Sequence, residues 1–413
     1  MAWDFSTEPD FQSKLDWVEA FCKEEIEPLE YVFPYAVRSP DPHVKAYVRG
    51  LQQQIKDQRL WAIFLDKELG GPGFGQLKLA LLNEVIGRYP GAPQMFGAAA
   101  PDTGNIELLA AFGTEEQKKR WLEPLLNQDM FSAYSMTEPQ GGSDPNLFKT
   151  HAERDGGEWV INGEKWFTSA GRVADILFVM CTNGMFVVPR KTPGVEILPE
   201  PRNHNHIIYN EVRVPLDHLL GPEDGAKVLA QRRLGGGRIH HAMRTIAQLE
   251  KAFDMMCERA LSRSTRNGPL ASLGVVQEQI ADSWIEIEQF KLLVMRAAWK
   301  IDKYNDYRRV RHDIAAVKVA MPKVYHDVVL RAMHLHGALG VSNEMPFTRM
   351  LIGAEVMALA DGPTEVHKTT VARQVLREYK ATDDLFPSRH LPKLKAAARG
   401  KYAAYFEHEL ASI

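Results

Sequence analysis

The chain has 413 residues, of which 45% are hydrophobic and 25% are charged, and its formal net charge at pH 7 is −3. This length suffices for two or three domains of usual size, and the composition is that of an ordinary globular protein. The small net charge argues against a nucleic-acid or membrane-surface partner, and no apolar run approaches the roughly 20 residues that cross a bilayer.

The cysteines and the two ends of the chain bear on its compartment. Cys22, Cys181 and Cys257 are far apart and form no CxxC pair, which argues against a disulfide framework and a zinc site, so we predict no metal. The N-terminus is acidic and lacks a signal-peptide pattern, and the last three residues are not a recognised peroxisomal address. These features predict a cytoplasmic protein.

Residues 1–128 are predicted to form an N-terminal helical domain. From Phe11 to Leu29, apolar residues recur at helical spacing. A turn-rich segment with three glycines and a proline, 67–74, interrupts the helices. Two glutamates after Thr114 predict a capped helix start at residue 115.

The hydrophobic period changes near residue 129, and residues 129–233 are predicted to form a β-domain, a sandwich or barrel. Residues 159–161 are predicted to be a strand, and the Asn162-Gly163 pair that follows predicts a hairpin turn. Further strands are predicted at 176–180, 185–188 and 211–214.

Longer helical patterns return near residue 234, so residues 234–380 are predicted to form a helical bundle and 381–413 a C-terminal extension. One helix carries apolar residues from Val276 to Ile301, and a second is predicted over 314–335 with a kink at Pro322. The extension contains a basic amphipathic segment, 394–410. A cleft between a β-domain and a bundle is a common place for a cofactor.

A single carboxylate, Asp361, stands between an apolar run and a helical pattern that starts near Val366. Gly362 allows the main chain to approach a ligand closely, and Pro363 suits a helix start whose free N–H groups can hold an anion or a polar ring edge. A carboxylate in such a position could act as a base with a raised pKa. The alternative is a simple helix cap.

Two segments near the β-domain suit a flat, polar ring. Residues 134–144 (YSMTEPQGGSD) offer hydroxyls and main-chain donors around two glycines. Residues 166–169 (WFTS) combine adjacent aromatic rings, which could cover a ring face, with hydroxyls for its edge. The alternatives are a glycine-rich loop and core aromatics.

Two glycine-containing segments lie in the helical part. Three glycines before Arg238 let a ligand come close to the main chain, and Arg238 at a helix start could hold a carbonyl or phosphate. His240 and His241 diverge by about 100° around a helix, which favours polar packing over a shared metal. Residues 333–341 (MHLHGALGV) end a helix, either with a glycine C-cap or with close approach to a nucleotide.

Taken together, these segments resemble the acyl-CoA dehydrogenase family from about residue 9 to 380. The motifs that carry the resemblance are YSMTEP with GGSD, then INGEKWFTS, GRIHHAMR, HGALGV and ADGPTEVH, in that order. Their combination is highly specific. The resemblance implies an α+β fold with an N-terminal helical domain, a middle β-domain and a C-terminal four-helix bundle. It also implies bound FAD, an acyl-CoA substrate, an electron-transferring flavoprotein as electron acceptor, and a homodimer or homotetramer.

The reaction implied by the resemblance moves the α-proton of the thioester to Asp361 and the β-hydride to flavin N5, giving the trans-2-enoyl-CoA. Many family members have Glu as the base, within Tyr-Glu-Gly-Thr. This chain has Ala-Asp-Gly-Pro there, which resembles a branch of the family with an Asp-Gly-Pro motif. Because Asp is one carbon shorter, its oxygens reach about 1.5 Å less. Either the backbone lies closer to the substrate, or another group is the base.

The resemblance also implies a set of binding residues. The residues expected at FAD are Tyr134, Met136, Thr137, Gly142, Ser143, Phe167, Thr168, Ser169, Arg263, His334, Gly337, Ala338, Pro363, Thr364 and Glu365. The residues expected at the substrate are Ser143, Gly235, Gly236, Gly237, Arg238 and Gly362. Arg263 resembles an arginine that reaches FAD phosphates from a neighbouring subunit. The family's Arg-x-x-Phe-Gly pattern is altered here, which makes Arg266 a rival. His334 stands where many members have Gln.

Other functions remain open on the sequence alone. One is a flavoenzyme of the same fold with another reaction, an acyl-CoA oxidase or a nitroalkane oxidase-like enzyme. Another is a helical interaction protein that has lost its flavin. The length, branching and hydroxylation of the acyl chain are not predicted.

Overall fold

The computed structural model describes residues 7–199, 204–382 and 385–406. It confirms an α+β chain in which helices come first, a β-domain follows, and long helices return. The N-terminal helices are α1 (Pro9–Phe21), α2 (Glu27–Val32), α3 (Pro42–Asp57), α4 (Gly75–Ile86), α5 (Ala92–Met95), α6 (Asp102–Phe112), α7 (Glu115–Gln117) and α8 (Glu123–Leu126).

Local sequence signals account for the ends of several N-terminal helices. Helix α1 has a proline at its first position, where an N–H is not needed, and buries the apolar stripe that begins at Phe11. Helix α7 starts with a capping box: Gln117 N donates to Thr114 Oγ1 over 3.2 Å, and Thr114 N donates to Gln117 Oε1 over 3.0 Å. The predicted capped start at residue 115 is confirmed.

The β-domain consists of two four-stranded sheets that pack on a shared core including Trp159, Phe186 and Tyr209. Their orders are β1-β4-β5-β8 and β2-β3-β7-β6, and the pairing is antiparallel except between β1 and β4. The strands are β1 (Ser132–Ser135), β2 (His151–Asp155), β3 (Glu158–Ser169), β4 (Ile176–Cys181), β5 (Gly184–Pro189), β6 (Val195–Ile197), β7 (His204–Pro215) and β8 (Leu219–Leu220).

The hairpin predicted at Asn162-Gly163 is wrong, because strand β3 continues through both residues. The turn lies earlier, at 156–157, and β3 pairs with β7 through an irregularity between Ile161 and Gly163. Gly163 has φ +143°, and a Cβ there would lie 2.5 Å from Thr150 Oγ1. Gly163 therefore permits a β-bulge whose main chain packs closely against Thr150.

The C-terminal part is a helical bundle in which α11 packs against α9, α10, α13 and α14. Buried residues of these helices and of the N-terminal helices form one continuous core. The elements are α9 (Ala226–Ser262), a short hairpin of β9 (Ser264–Thr265) and β10 (Gly268–Pro269), α10 (Gly274–Tyr304), α11 (Arg311–His336), α12 (Ala338–Val341), α13 (Phe347–Leu359) and α14 (Thr364–Leu376). Pro322 lies inside α11.

The observed extent of helix α9 differs from the sequence-based prediction in where the helical part begins and in where Arg238 lies. It begins at Ala226, so the boundary predicted between residues 233 and 234 falls inside it, and we propose a boundary just before Ala226 instead. Arg238 consequently lies in the interior of a helix and not at its start. The three glycines, which the sequence analysis interpreted as room for a ligand, allow residues of other segments to pack close to α9.

Helices α15 (Leu391–Lys401) and α16 (Ala403–Phe406) lie in the C-terminal extension. The side chains of α15 are exposed over its described length. Residues 407–410 of the predicted amphipathic segment lie outside the described residues. In the part of the chain that the structure describes, no helix is both long enough and apolar enough to span a bilayer.

Candidate active site

Asp361 lies in the tight turn between α13 and α14, with φ +57° in the left-handed region. Asp tolerates this region better than most residues, yet the conformation needs support. Two side chains from different helices supply it: Arg238 Nε donates to the Asp361 carbonyl over 2.8 Å, and His367 Nε2 lies 3.2 Å from the same oxygen. The turn is therefore held by α9 and α14 together.

The next residue, Gly362, could not be replaced without moving this support. It has φ +108°, and a Cβ there would lie 2.8 Å from His367 Nε2. The glycine thus permits both the backbone conformation and the approach of the imidazole. Among the described residues no side chain caps α14, so Asp361 is not a helix cap, and its catalytic role stays a prediction.

The Asp361 carboxylate packs against α9 at Gly237, which has no side chain. Its side chain is 17% exposed, and Oδ2 is 3.8 Å from His241 Nε2. A Cβ on Gly237 would lie 3.0 Å from the same Oδ2. His241 and Gly237 are one helical turn apart, so they face the carboxylate from the same stripe of α9.

The two other glycines of α9 make equally close contacts. A Cβ on Gly236 would lie 3.1 Å from Glu107 Oε2, and one on Gly235 would lie 3.3 Å from the Tyr307 ring. Glycine inside a helix costs about 1 kcal/mol relative to alanine. Here the cost is offset by allowing α6 and the segment before α11 to pack close to α9.

Cationic and imidazole groups surround the carboxylate. Burial lowers the pKa of Lys318 to about 8 although the Asp361 charge opposes the shift, and the Lys318 ammonium donates to the Met357 carbonyl. Burial likewise lowers the pKa of His367 to about 4, which leaves this imidazole neutral near pH 7. Burial also lowers the pKa of Arg238. The site therefore presents a carboxylate within a largely positive surrounding.

Tyr134 brings a hydroxyl from strand β1 to the same region. The Arg233 guanidinium lies 3.8 Å from the centre of its ring. Its hydroxyl is buried and has no hydrogen-bond partner among the described residues. Burial, with a contribution from the Asp361 charge, raises the pKa of Tyr134 to about 12. A buried hydroxyl without a partner is a group that a ligand would satisfy.

A buried ion pair connects the two motifs of the β-domain. Lys165 Nζ is 2.7 Å from Glu138 Oε1 and donates to the Met136 carbonyl over 2.9 Å. Glu138 also accepts hydrogen bonds from the main-chain N–H of Lys149 and Thr150, over 2.7 and 3.1 Å. Burial lowers the pKa of the Lys165 ammonium against the effect of its partner. The pair holds the loop that contains Met136, Thr137, Gly142 and Ser143 against β3.

The aromatic segment of β3 leaves the sheet at a second irregularity, between Lys165 and Thr168. Phe167 has φ +54° and its side chain is 51% exposed, and its ring centre lies 4.6 Å from that of Trp166. Trp166 N donates to the Thr137 carbonyl over 2.7 Å, so this segment and the 134–144 loop meet directly. The exposed rings could cover a flat ligand.

The hydroxyls of Thr168 and Ser169 both contact side chains of the β-domain. Thr168 is fully buried, and its Oγ1 lies 3.0 Å from Ser135 Oγ. Ser169 Oγ lies 2.8 Å from His204 Nδ1. Both hydroxyls therefore have a partner inside the β-domain, which leaves the main chain of this segment as the group that a ring edge could reach.

The remaining predicted residues fall into two groups. Pro363 directly precedes α14, Thr364 and Glu365 form its first turn, and no side chain caps them, which leaves main-chain donors for a ligand. Arg263, Arg266, His334, Gly337 and Ala338 are all exposed, at the ends of α9 and α11 or just beyond them. No described contact joins this exposed group to Asp361.

Several residues of the site were not predicted from the sequence. His241 was assigned to polar packing together with His240; His240 does pack in this way, with Nε2 3.2 Å from Gln76 Oε1, whereas His241 lies beside the Asp361 carboxylate. The spacing of four residues from Gly237 was a signal that could have identified His241. Arg233, Arg244, Lys318 and the Glu138–Lys165 pair carried no local signal of this kind.

Comparison with known proteins identifies the family of the chain. Three models of the acyl-CoA dehydrogenase family match the chain in order: the N-terminal domain at residues 9–129, the middle domain at 133–208 and the C-terminal domain at 223–376. The chain therefore belongs to the acyl-CoA dehydrogenase family. It is an FAD-dependent oxidoreductase that acts on acyl-CoA.

Individual relatives support the assignment. The chain is 42% identical over 357 residues to a Mycobacterium tuberculosis protein named as acyl-CoA dehydrogenase FadE2, covering 81% of this chain and 87% of that one. It is 35% identical over 397 residues to mouse acyl-CoA dehydrogenase family member 11, covering 89% of this chain but 50% of that relative. A solved Mycobacterium abscessus structure described as an acyl-CoA dehydrogenase has 34% identity and a TM-score of 0.82, with 91% of this chain and 100% of that one covered. The chain thus spans about half of the length of the mouse relative.

Proposed function

We propose that this protein catalyses the FAD-dependent α,β-dehydrogenation of an acyl-CoA thioester to the trans-2-enoyl-CoA, with Asp361 as the base that removes the α-proton. The observation that carries the proposal is the position of the Asp361 carboxylate. It lies against Gly237 of α9, and its backbone is held by Arg238 and His367. When bound, FAD supplies the acceptor for the β-hydride.

The position of Asp361 compensates for its short side chain. A glutamate reaches about 1.5 Å further than an aspartate. Arg238 of α9 holds the Asp361 carbonyl over 2.8 Å, and the absence of a side chain on Gly237 leaves room for Asp361 Oδ2 against the same helix. We therefore favour a closer backbone over a different catalytic base. The N–H of Gly362, beside the base, is a candidate donor to the thioester carbonyl as enolate charge develops.

The groups proposed to hold FAD suit a flat ring with polar edges. The exposed Phe167 ring would cover one face, and the unpartnered Tyr134 hydroxyl and the uncapped start of α14 would supply donors. The full proposed set is Tyr134, Met136, Thr137, Gly142, Ser143, Phe167, Thr168, Ser169, Arg263, His334, Gly337, Ala338, Pro363, Thr364 and Glu365. Ser143, Gly235 to Arg238 and Gly362 are proposed for the acyl-CoA.

The exposed members of this set fit an oligomeric enzyme. Arg263, its rival Arg266 and His334 are exposed in a single chain, and one of the two arginines would reach the FAD phosphates from a neighbouring subunit. The helices of the bundle also expose large apolar side chains, including Trp284, Leu292, Ile352, Leu359 and Leu376. A homodimer or homotetramer would cover such surface. We propose an electron-transferring flavoprotein as acceptor, and a cytoplasmic location is in keeping with three unpaired cysteines.

The experiment that tests this function is anaerobic titration of the purified protein with acyl-CoA thioesters while the flavin absorbance is recorded. We expect a yellow protein whose absorbance is bleached by at least one of butyryl-, octanoyl-, palmitoyl- and isobutyryl-CoA. Rapid reoxidation by oxygen with peroxide formation would identify an acyl-CoA oxidase instead. Bleaching by nitroethane but by no thioester would identify a nitroalkane oxidase-like enzyme. A colourless protein that does not take up added FAD would contradict the proposal.

A further inference from the structure

Helix α9 places a second imidazole beside Asp361, in addition to that of His367. Arg233, Gly237 and His241 are spaced by four residues and form one stripe of the helix, which faces Tyr134 and Asp361. His241 Nε2 is the imidazole atom nearest to the carboxylate, 3.8 Å from Oδ2. Its side chain is 25% exposed, so the imidazole borders the space beside the carboxylate.

The other nitrogen of His241 faces a permanent donor. Arg244 Nη2 lies 3.5 Å from His241 Nδ1, and Arg244 Nη1 donates to Asn83 Oδ1 and to the Ala98 carbonyl, over 3.3 and 3.2 Å. A guanidinium has donors only, so Nδ1 must be an acceptor and cannot carry a hydrogen. In the neutral ring the hydrogen is then on Nε2, the atom that faces Asp361.

The charged groups around His241 keep it neutral. Burial first, and then the Arg244 charge, lower the pKa of His241 to about 4, against the opposing effect of Asp361. Lys318 and Arg233 add to the lowering. His241 is therefore a neutral donor near pH 7. The groups that face Asp361 itself are Arg238, Lys318, His367 and Arg244, together with Tyr134.

We propose that His241 is a positioning residue for the catalytic base: Arg244 holds its Nε2–H tautomer, and this N–H is directed at one oxygen of the Asp361 carboxylate. The present separation of 3.8 Å is longer than a hydrogen bond, so the contact requires a small rotation of either side chain. This inference rests on the proposed role of Asp361 as base.

The arrangement has two consequences for the reaction. A donor to one carboxylate oxygen stabilises the negative charge of the base. Because the His241 N–H holds one carboxylate oxygen of Asp361, the other oxygen is left to accept the α-proton. The substitution His241→Leu removes this donor, so the carboxylate charge is less stabilised. We therefore expect the acidic limb of the kcat/KM profile to move to higher pH.

The first test does not depend on activity or substrate. Protein with ¹⁵N-labelled histidine is examined by long-range ¹H–¹⁵N correlation, with His241→Gln to assign the signals. We expect the neutral Nε2–H tautomer throughout the range of about pH 5 to 8, and an Nε2 shift that changes in Asp361→Asn. The Nδ1–H tautomer, titration near the ordinary pKa, or a signal that ignores Asp361→Asn would overturn the proposal.

The second test is the pH profile of flavin bleaching by the best thioester. We expect His241→Leu to move the acidic limb upward by roughly one pH unit, and His241→Gln, which keeps an N–H donor, to restore most of this shift. His240→Leu is the matched control, because His240 is buried on the same helix but bonds Gln76. Equal shifts in the His240 and His241 variants, or no shift in either, would overturn the positioning role. Full activity in Asp361→Asn would instead remove the proposed function, whatever His241 does.

Discussion

At the scale of single residues, the site depends on two glycines that leave room for neighbouring side chains. Gly237 provides the space that the Asp361 carboxylate occupies, and Gly362 provides the space for the His367 imidazole. The sequence indicated that residues 235–237 let a ligand come close to the main chain, because glycine has no Cβ. The contacts that explain these glycines come from residues distant in the chain, and no local pattern could reveal them.

Gly237→Ala tests this space. The new Cβ would lie 3.0 Å from Asp361 Oδ2, so the carboxylate must move by a few tenths of an ångström. We expect kcat/KM for the best thioester to fall by about tenfold or more, since small misplacements of a catalytic group are costly. FAD content and melting temperature should be kept, because alanine favours a helix.

Gly50→Ala is the matched control for this substitution. Gly50 lies in helix α3 with no neighbouring atom within 4 Å of the new Cβ. It should be fully active and slightly more stable. Unchanged activity in Gly237→Ala would show that the carboxylate does not depend on this gap.

At the scale of elements, the sequence predicted those helices and strands whose position depends mainly on neighbouring residues. The capped start of α7 and the strands β4 and β5 lie where the sequence predicts them. The Asn162-Gly163 pair did not make a hairpin, because pairing of β3 with the whole of β7 overrode a two-residue signal. His241 was missed because its partner Asp361 is reached only through the packing of α9 against the α13–α14 turn.

The loop of residues 136–143 is held by the Glu138–Lys165 pair, and Glu138→Gln tests this element. Both side chains are buried, and removal of one charge from a buried pair costs roughly 3–5 kcal/mol. We therefore expect a lower melting temperature and a weakened affinity for FAD, measured by titration of the apoprotein.

Glu223→Gln provides the comparison for the buried pair. Glu223 pairs with Arg154 on the surface, with side chains 46% and 59% exposed, and such pairs contribute about 0 to 1 kcal/mol. Its melting temperature and FAD affinity should match those of the parent protein. Equal effects of the two variants would contradict the role assigned to Glu138.

At the scale of the whole molecule, the N-terminal helices and the bundle share one core, and buried histidines lie within it. His240 joins α9 to α4 through Gln76, and His367 joins α14 to the Asp361 turn. The family resemblance predicted the order of the three parts, but not these connections, because polar contacts between distant segments leave no periodic trace in a sequence.

The buried histidines predict how stability depends on pH. Burial lowers the pKa of His240 to about 3 and that of His367 to about 4, from an ordinary 6.5. Between the pKa values of the folded state and 6.5, the unfolded chain binds more protons than the folded one. The contribution of these histidines to the free energy of unfolding is therefore complete above about pH 6.5 and decreases as pH falls towards 4. We expect His240→Gln to reduce the slope of unfolding free energy against pH by up to about 1.4 kcal/mol per unit.

Chemical denaturation at several pH values measures this slope. The exposed His151 provides the control, since His151→Gln should leave the slope unchanged. A slope that is the same in both variants and in the parent protein would show that His240 is not the group that links protons to folding.

The central claim, that Asp361 removes the α-proton, is tested most directly by anaerobic stopped-flow bleaching of Asp361→Asn with the best thioester. The substitution keeps size and shape but removes the basic carboxylate. We predict that the variant binds FAD as the parent protein does and that its bleaching rate falls by about 10³-fold, within the range of roughly 10² to 10⁴ that a positioned base typically contributes. Bleaching at the parental rate by a variant with full FAD content would contradict the account.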